Sequence, residues 1–73
     1  MLNLTVAKLG DVTVVGCQGR ILQGESASKL REAVTSQTGA RIVVLELSEV
    51  RAIGGGGLGM LVSLQGWARE HNI

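Results

Sequence analysis

The sequence predicts an α/β domain of order ββαβα, a mixed sheet that opens with an antiparallel hairpin and carries its helices on one face. Three observations predict it. Apolar residues alternate with period two over residues 2–8, and β-branched residues crowd positions 12–15. The period lengthens to that of a helix over residues 25–38. The run "RIVVLEL", residues 41–47, is apolar on successive positions, the pattern of a parallel strand in the interior of a sheet. A chain of 73 residues is one small domain. With no Phe or Tyr and one Trp, its core must be built from Val, Ile, Leu and Ala.

The first strand places Leu2, Leu4 and Val6 on one face and Asn3, Thr5 and Ala7 on the other. Gly10 at the first position of a two-residue turn then sends "VTVVGCQG" back antiparallel. In the first helix Ala27, Leu30 and Val34, with Ala33 beside them, form the apolar stripe, while Lys29, Arg31 and Glu32 point elsewhere. Ser26 or Ser28 is placed to cap its start and Gly39 to end it. After the third strand, "SEVRAI" and a glycine run form the connection to a second helix. That helix is lined by Leu58, Leu61, Leu64 and Ala68, with Met60, Val62 and Trp67 alongside. The strand–helix–strand unit predicts a right-handed crossover. A helix after a parallel strand normally returns to another strand, and here "REHNI" is the last of the sequence. The third strand is then an apolar sheet edge. Residues 1–73 are expected to be a single truncated domain, or one completed by self-association as a homodimer or higher oligomer.

The net charge is +1, from 7 basic and 6 acidic residues spread along the chain, which gives nucleic acid little to bind. No apolar run approaches the roughly 20 residues of a membrane span. The N-terminus alternates instead of forming the apolar segment of a signal peptide. Cys17 is the single cysteine and has no internal disulfide partner, as suits a reducing compartment. The expected location is cytoplasmic.

The stretch "RAIGGGGLGMLV", residues 51–62, is the one that asks for a chemical reading. Gly54, Gly56 and Gly59 satisfy G-x-G-x-x-G between a strand and a helix, but no strand-end acidic residue follows about 20 residues on, as a dinucleotide site requires. Met60 stands where a Walker-type loop needs lysine. His71, the only histidine, lies near the end of the last helix, where it favours the helix dipole. Cys17 reads as a small buried hydrophobe. Glu46 and Glu49 have no base, metal cluster or histidine beside them and read as solvated carboxylates. The expectation is a non-enzymatic protein without cofactor or metal.

The segment "LELSEVRAIGGGGLGMLVSL" resembles the signature of the STAS domain, found in bacterial anti-sigma factor antagonists and in sulfate transporter tails. Leu45-Glu46-Leu47-Ser48 is similar to the family's apolar-Asp-apolar-Ser strand, with Glu46 for Asp. Ile53, Gly57, Leu58 and Gly59 match the start of its following helix. Upstream, "GCQGRILQGESASKLREAV" resembles its second strand and first helix, including the Gly19-Arg20-Ile21 turn. In the family's Asp-Ser-Ser-Gly-Leu-Gly, Gly54 here replaces Asp, Gly55 replaces the serine phosphorylated by the cognate anti-sigma kinase, and Gly56 replaces the next Ser or Thr. The family's fourth strand and final helices have no counterpart.

The resemblance implies a regulatory binding module whose partner is an anti-sigma factor serine kinase and which cannot be phosphorylated at the usual position. The partner surface it implies joins Arg20, Ile21, Leu22 and Gln23 to Gly54, Gly55, Gly56, Leu58 and Met60. Leu22 stands where many members carry an acidic residue. Two readings of the glycines remain open: a surviving recognition loop, or a loose connector at Gly54 to Gly56 with Gly57 and Gly59 permitting close backbone approach. In either case the run is expected to be mobile, or ordered only by a partner, because each glycine adds unfolded-chain entropy of about 0.4–1 kcal/mol relative to alanine. The alternative function is a self-associating structural domain, without signalling activity, that pairs through its third strand.

Overall fold

The computed structural model describes residues 1–73. Its elements are β1 (Leu2–Leu9), β2 (Val12–Ile21), α1 (Glu25–Thr35), β3 (Ile42–Ile53) and α2 (Gly55–Glu70). The three strands form one mixed sheet in the order β1-β2-β3. β1 and β2 pair antiparallel, with Val6 opposite Val15, and β2 and β3 pair parallel, with Val15 opposite Leu45. Gly10 turns the hairpin at φ 63 while Asp11 keeps negative φ, the pattern of a type II′ turn.

Alternation along β2 sends Thr13, Val15 and Cys17 to one face, where they are buried, and Val14, Gly16 and Gln18 to the other. On the buried face Leu2, Val15, Cys17 and Ile21 meet Ala27, Leu30 and Val34 of α1 and Met60 and Leu64 of α2. Val43, Leu45 and Leu47 of β3 pack against this cluster from the side. Both helices therefore lie on one face of the sheet, and the core is aliphatic apart from Cys17, Met60 and the flanking Trp67. The opposite face has no covering layer: Ile42 and Val44 are 54% and 41% exposed.

Several expectations need correction. β3 does not stop at Leu47 but continues through "SEVRAI" to Ile53, with shifts in its pairing to β2 between Gly16 and Gln18 and again between Gly19 and Arg20. It lies at the edge of the sheet, as the absence of a following strand leads one to expect, although its apolar run has the pattern of an interior strand, and its apolar outer face is exposed. α1 ends at Thr35 with Ser36 as its C-cap, because hydroxyls of Thr35 and Ser36 turn back to the carbonyls of Arg31 and Ala33. Gly39 lies beyond it. The N-cap of α1 is Gly24 at φ 86, so neither Ser26 nor Ser28 caps the helix. Val6, on the same sheet face as Leu2, is 46% exposed because the helices do not reach that end of β1. In α2 the buried positions are Gly57, Met60 and Leu64, while Leu58 is turned outward and is 54% exposed.

Candidate functional site

Parallel pairing delivers the ends of β2 and β3 to the same edge of the sheet, with Ile21 opposite Ile53. Three sets of contacts fix the segments leaving these two strands. The first is across the strands: the backbone N–H of Gly54 donates to the carbonyl of Ile21 at 2.9 Å. The second closes the loop after β2. The hydroxyl of Ser26 accepts from the N–H of Leu22 at 2.8 Å and donates to the Leu22 carbonyl at 2.9 Å, and the N–H of Ala27 reaches the same carbonyl. Ser26 thus clamps the loop instead of capping the helix.

The third set involves the glycines. Gly54 is extended (φ −84, ψ 175) and is the N-cap of α2, its carbonyl accepting the N–H of Leu58 at 2.9 Å. Gly55, Gly56 and Gly57 are the first turn of the helix, so the run is neither the loose connector nor the mobile loop that its composition suggests. The reason is steric. A Cβ on Gly57 would collide with the backbone carbonyl of Ile21, and one on Gly56 would come within 2.6 Å of Cβ and 2.8 Å of Cα of Gln23. Helix and loop approach so closely that only backbone fits between them. A Cβ on Gly54 would lie 3.2 Å from the Leu22 side chain, a tight fit. Gly55 differs: nothing lies within 4 Å of a Cβ placed there, and the residue is exposed. Gly59 is likewise open.

The result is a platform in which Leu22, Gln23, Gly55, Gly56 and Leu58 are exposed around the N-terminus of α2, with Arg20 exposed at the adjoining strand end. Ile21 and Met60, expected in the same surface, are core residues with 0% and 8% exposure and offer a partner little or no accessible area. The first turn has no acidic residue and no side-chain cap, so its unpaired N–H groups and partial positive charge are uncompensated.

A second feature lies upstream on β3. One carboxylate oxygen of Glu46 accepts the N–H of Ser48 at 2.8 Å and the other accepts its hydroxyl at 2.9 Å. Both bonds favour the charged carboxylate, the backbone bond more strongly, and hold Glu46 below the usual carboxylate pKa range. This clamp sits where β3 departs from regular pairing with β2, so it fixes the irregularity through which the strand reaches Ile53. Burial, helped by the charge of Glu46, pushes the Cys17 thiol up, away from nucleophile chemistry. His71 stands at the opposite end of α2, its ring stacked on Trp67 at 4.7 Å and its Nδ1 2.8 Å from the Trp67 carbonyl. No three His, Cys, Asp or Glu side chains converge in a metal-binding arrangement. No helix is long and apolar enough to cross a membrane. The roles of Ser26 and Gln23 are not legible in the sequence, since both depend on how near the loop comes to α2.

No family model and no curated protein sequence matches this chain. Solved structures do. The crystal structure of Mglu superposes with a TM-score of 0.84 and 28% identity over 94% of this chain and 17% of Mglu. SpoIIAA, an anti-sigma factor antagonist solved in its unphosphorylated form, gives a TM-score of 0.75 at 7% identity, over 93% of this chain and 64% of SpoIIAA. An anti-sigma factor antagonist from Mycobacterium paratuberculosis gives 0.71 at 23% identity, over 90% of this chain and 57% of that protein. The chain thus spans less than two thirds of each of these proteins, and about a sixth of Mglu.

Proposed function

We propose that this chain, which has the STAS-like fold of the anti-sigma factor antagonists, is a non-enzymatic regulatory binding module fixed in its unmodified state. Its partner in this reading is an anti-sigma factor serine kinase of the cytoplasm, and its docking surface is the platform at the N-terminus of α2. One observation carries the proposal. The exposed first residue of α2, where the resemblance places the modifiable serine, is Gly55, and the space around its missing side chain is open. Phosphorylating a residue at that point would bring about −1.5 to −2 charges to the middle of the contact surface. A glycine has no hydroxyl to accept the phosphoryl group, so the surface stays in the state that binds.

The contact chemistry is backbone amides of the first helical turn, the apolar side chains of Leu22 and Leu58, and the charge of Arg20 at the rim. Calorimetric titration with an anti-sigma factor kinase tests the reading. Saturable binding that Leu58→Glu abolishes is expected, and absence of binding at high micromolar concentration overturns it.

A further inference from the structure

Leu22 is held from two directions. Both polar groups of its backbone are engaged: its N–H donates to the Ser26 hydroxyl at 2.8 Å, and its carbonyl accepts that hydroxyl at 2.9 Å and the Ala27 N–H at 3.1 Å. Its side chain lies over the N-cap of α2, where a Cβ on Gly54 would stand 3.2 Å from Leu22 Cδ2. Glycine at position 54 therefore gives the isobutyl group its seat. Even so, 39% of Leu22 remains exposed. An apolar side chain thus rises from a bonded backbone, packed on one side and open on the other.

Resting on the docking surface proposed at the N-terminus of α2, we infer that Leu22 is the anchor of that surface and Ser26 its positioning residue. The partner then meets Leu22 with apolar side chains and not with a charge. The physical ground is the cost of ordering. A loop and a flexible side chain that are ordered only on binding take affinity away, and a side chain already held in the free chain avoids that loss. Interface anchors are most often aromatic or arginine. This chain has no Phe or Tyr, and its one Trp, Trp67, lies toward the far end of α2. Arg20 stands at the rim, where a solvated charge contributes little. Leu58, the other apolar residue of the surface, is 54% exposed on the helix. Leu22, Gln23 and the four glycines carry no charge, so the patch around the anchor offers a basic partner group nothing to pair with. Ser26 reaches the surface only through the two bonds it makes to Leu22.

Calorimetric titration of an anti-sigma factor kinase with single and double variants tests the assignment. Leu22→Ala is expected to weaken binding about thirtyfold, more than Leu58→Ala or Arg20→Ala. Ser26→Ala should weaken it about two- to tenfold alone, and not further in the Leu22→Ala background, because its effect passes through Leu22. Leu22→Asp is expected to abolish binding, with circular dichroism unchanged. Methyl relaxation of the free chain reads the positioning without a partner. The Leu22 methyls should be more ordered than those of Leu9, which is 69% exposed, and Ser26→Ala should remove the difference.

Wild-type binding that Leu22→Ala weakens no more than Leu58→Ala does overturns the inference and leaves the docking surface standing. So does tighter binding by Leu22→Asp, or a Ser26→Ala loss that persists beside Leu22→Ala. Leu22 methyls as mobile as those of Leu9 overturn it whether or not the kinase binds, and absence of wild-type binding overturns surface and anchor together.

Discussion

Gly57 lies so close to Ile21 that the Ile21 carbonyl oxygen and Cγ2 occupy the space where any other residue would place its Cβ. The same carbonyl accepts the N–H of Gly54, so a single backbone group of β2 positions the whole first turn of α2. The four glycines are therefore not equivalent.

Gly57→Ala is expected to destabilise the fold by about 1–3 kcal/mol, since a backbone carbonyl cannot yield as a side chain can. Gly56→Ala should cost a similar amount through Gln23. Gly55→Ala should stabilise by about 0.4–1 kcal/mol, because its backbone is helical, its Cβ meets nothing and the unfolded chain loses freedom. Urea denaturation of the three variants checks the order. Equal effects at positions 55 and 57 would contradict it.

Gly55→Ser should restore a phosphate acceptor without disturbing the platform. Incubation with an anti-sigma factor kinase and ATP is expected to add one phosphate to this variant, mapped by mass spectrometry to residues 51–62. A Gly56→Ser variant is not an equivalent control, since its side chain displaces the loop at Gln23.

Glu46 supplies a pH dependence whose sign comes from its clamp on Ser48. Its folded pKa is depressed relative to the unfolded chain, so its contribution to stability is complete above the unfolded value and is lost as pH falls through the folded one. The loss therefore sets in as pH drops below the ordinary carboxylate range of about 4. Carboxyl titration by NMR should place Glu46 below the ordinary glutamate range, and Ser48→Ala should move it back up by removing the hydroxyl bond.

Ser26→Ala removes both bonds to Leu22 and should cost about 1 kcal/mol. The clearer readout is local: the Leu22 amide should exchange faster and the segment at residues 22–24 should become the first site of proteolysis. A purely helix-capping role for Ser26 would leave that amide unchanged.

The parts of this fold written in local periodicity are legible in the sequence. Leu2 and Leu4, the Gly10 turn and the stripe of Ala27, Leu30 and Val34 stand where their spacing puts them. The hidden parts depend on contacts between distant segments. β3 passes through Ser48 to Ile53 because Glu46 fixes its irregularity, a bond that alternation does not encode. The glycines read as a mobile loop because composition reports the absence of side chains. It does not report that Ile21 and Gln23 lie against them. Adjacency in sequence puts Ile21 and Met60 in a surface, but the strand and helix periods turn both inward. Of the candidate site, its location at the shared strand ends is readable, and the close approach of α2 to the loop after β2 is not.

A binding surface without an off-state is tested most directly by measuring kinase affinity before and after incubation with ATP. The wild-type chain is expected to bind equally in both conditions with no added mass, while Gly55→Ser loses affinity as it gains phosphate. Phosphate on the wild-type chain with a matching loss of affinity, or no binding in either condition, would contradict the account.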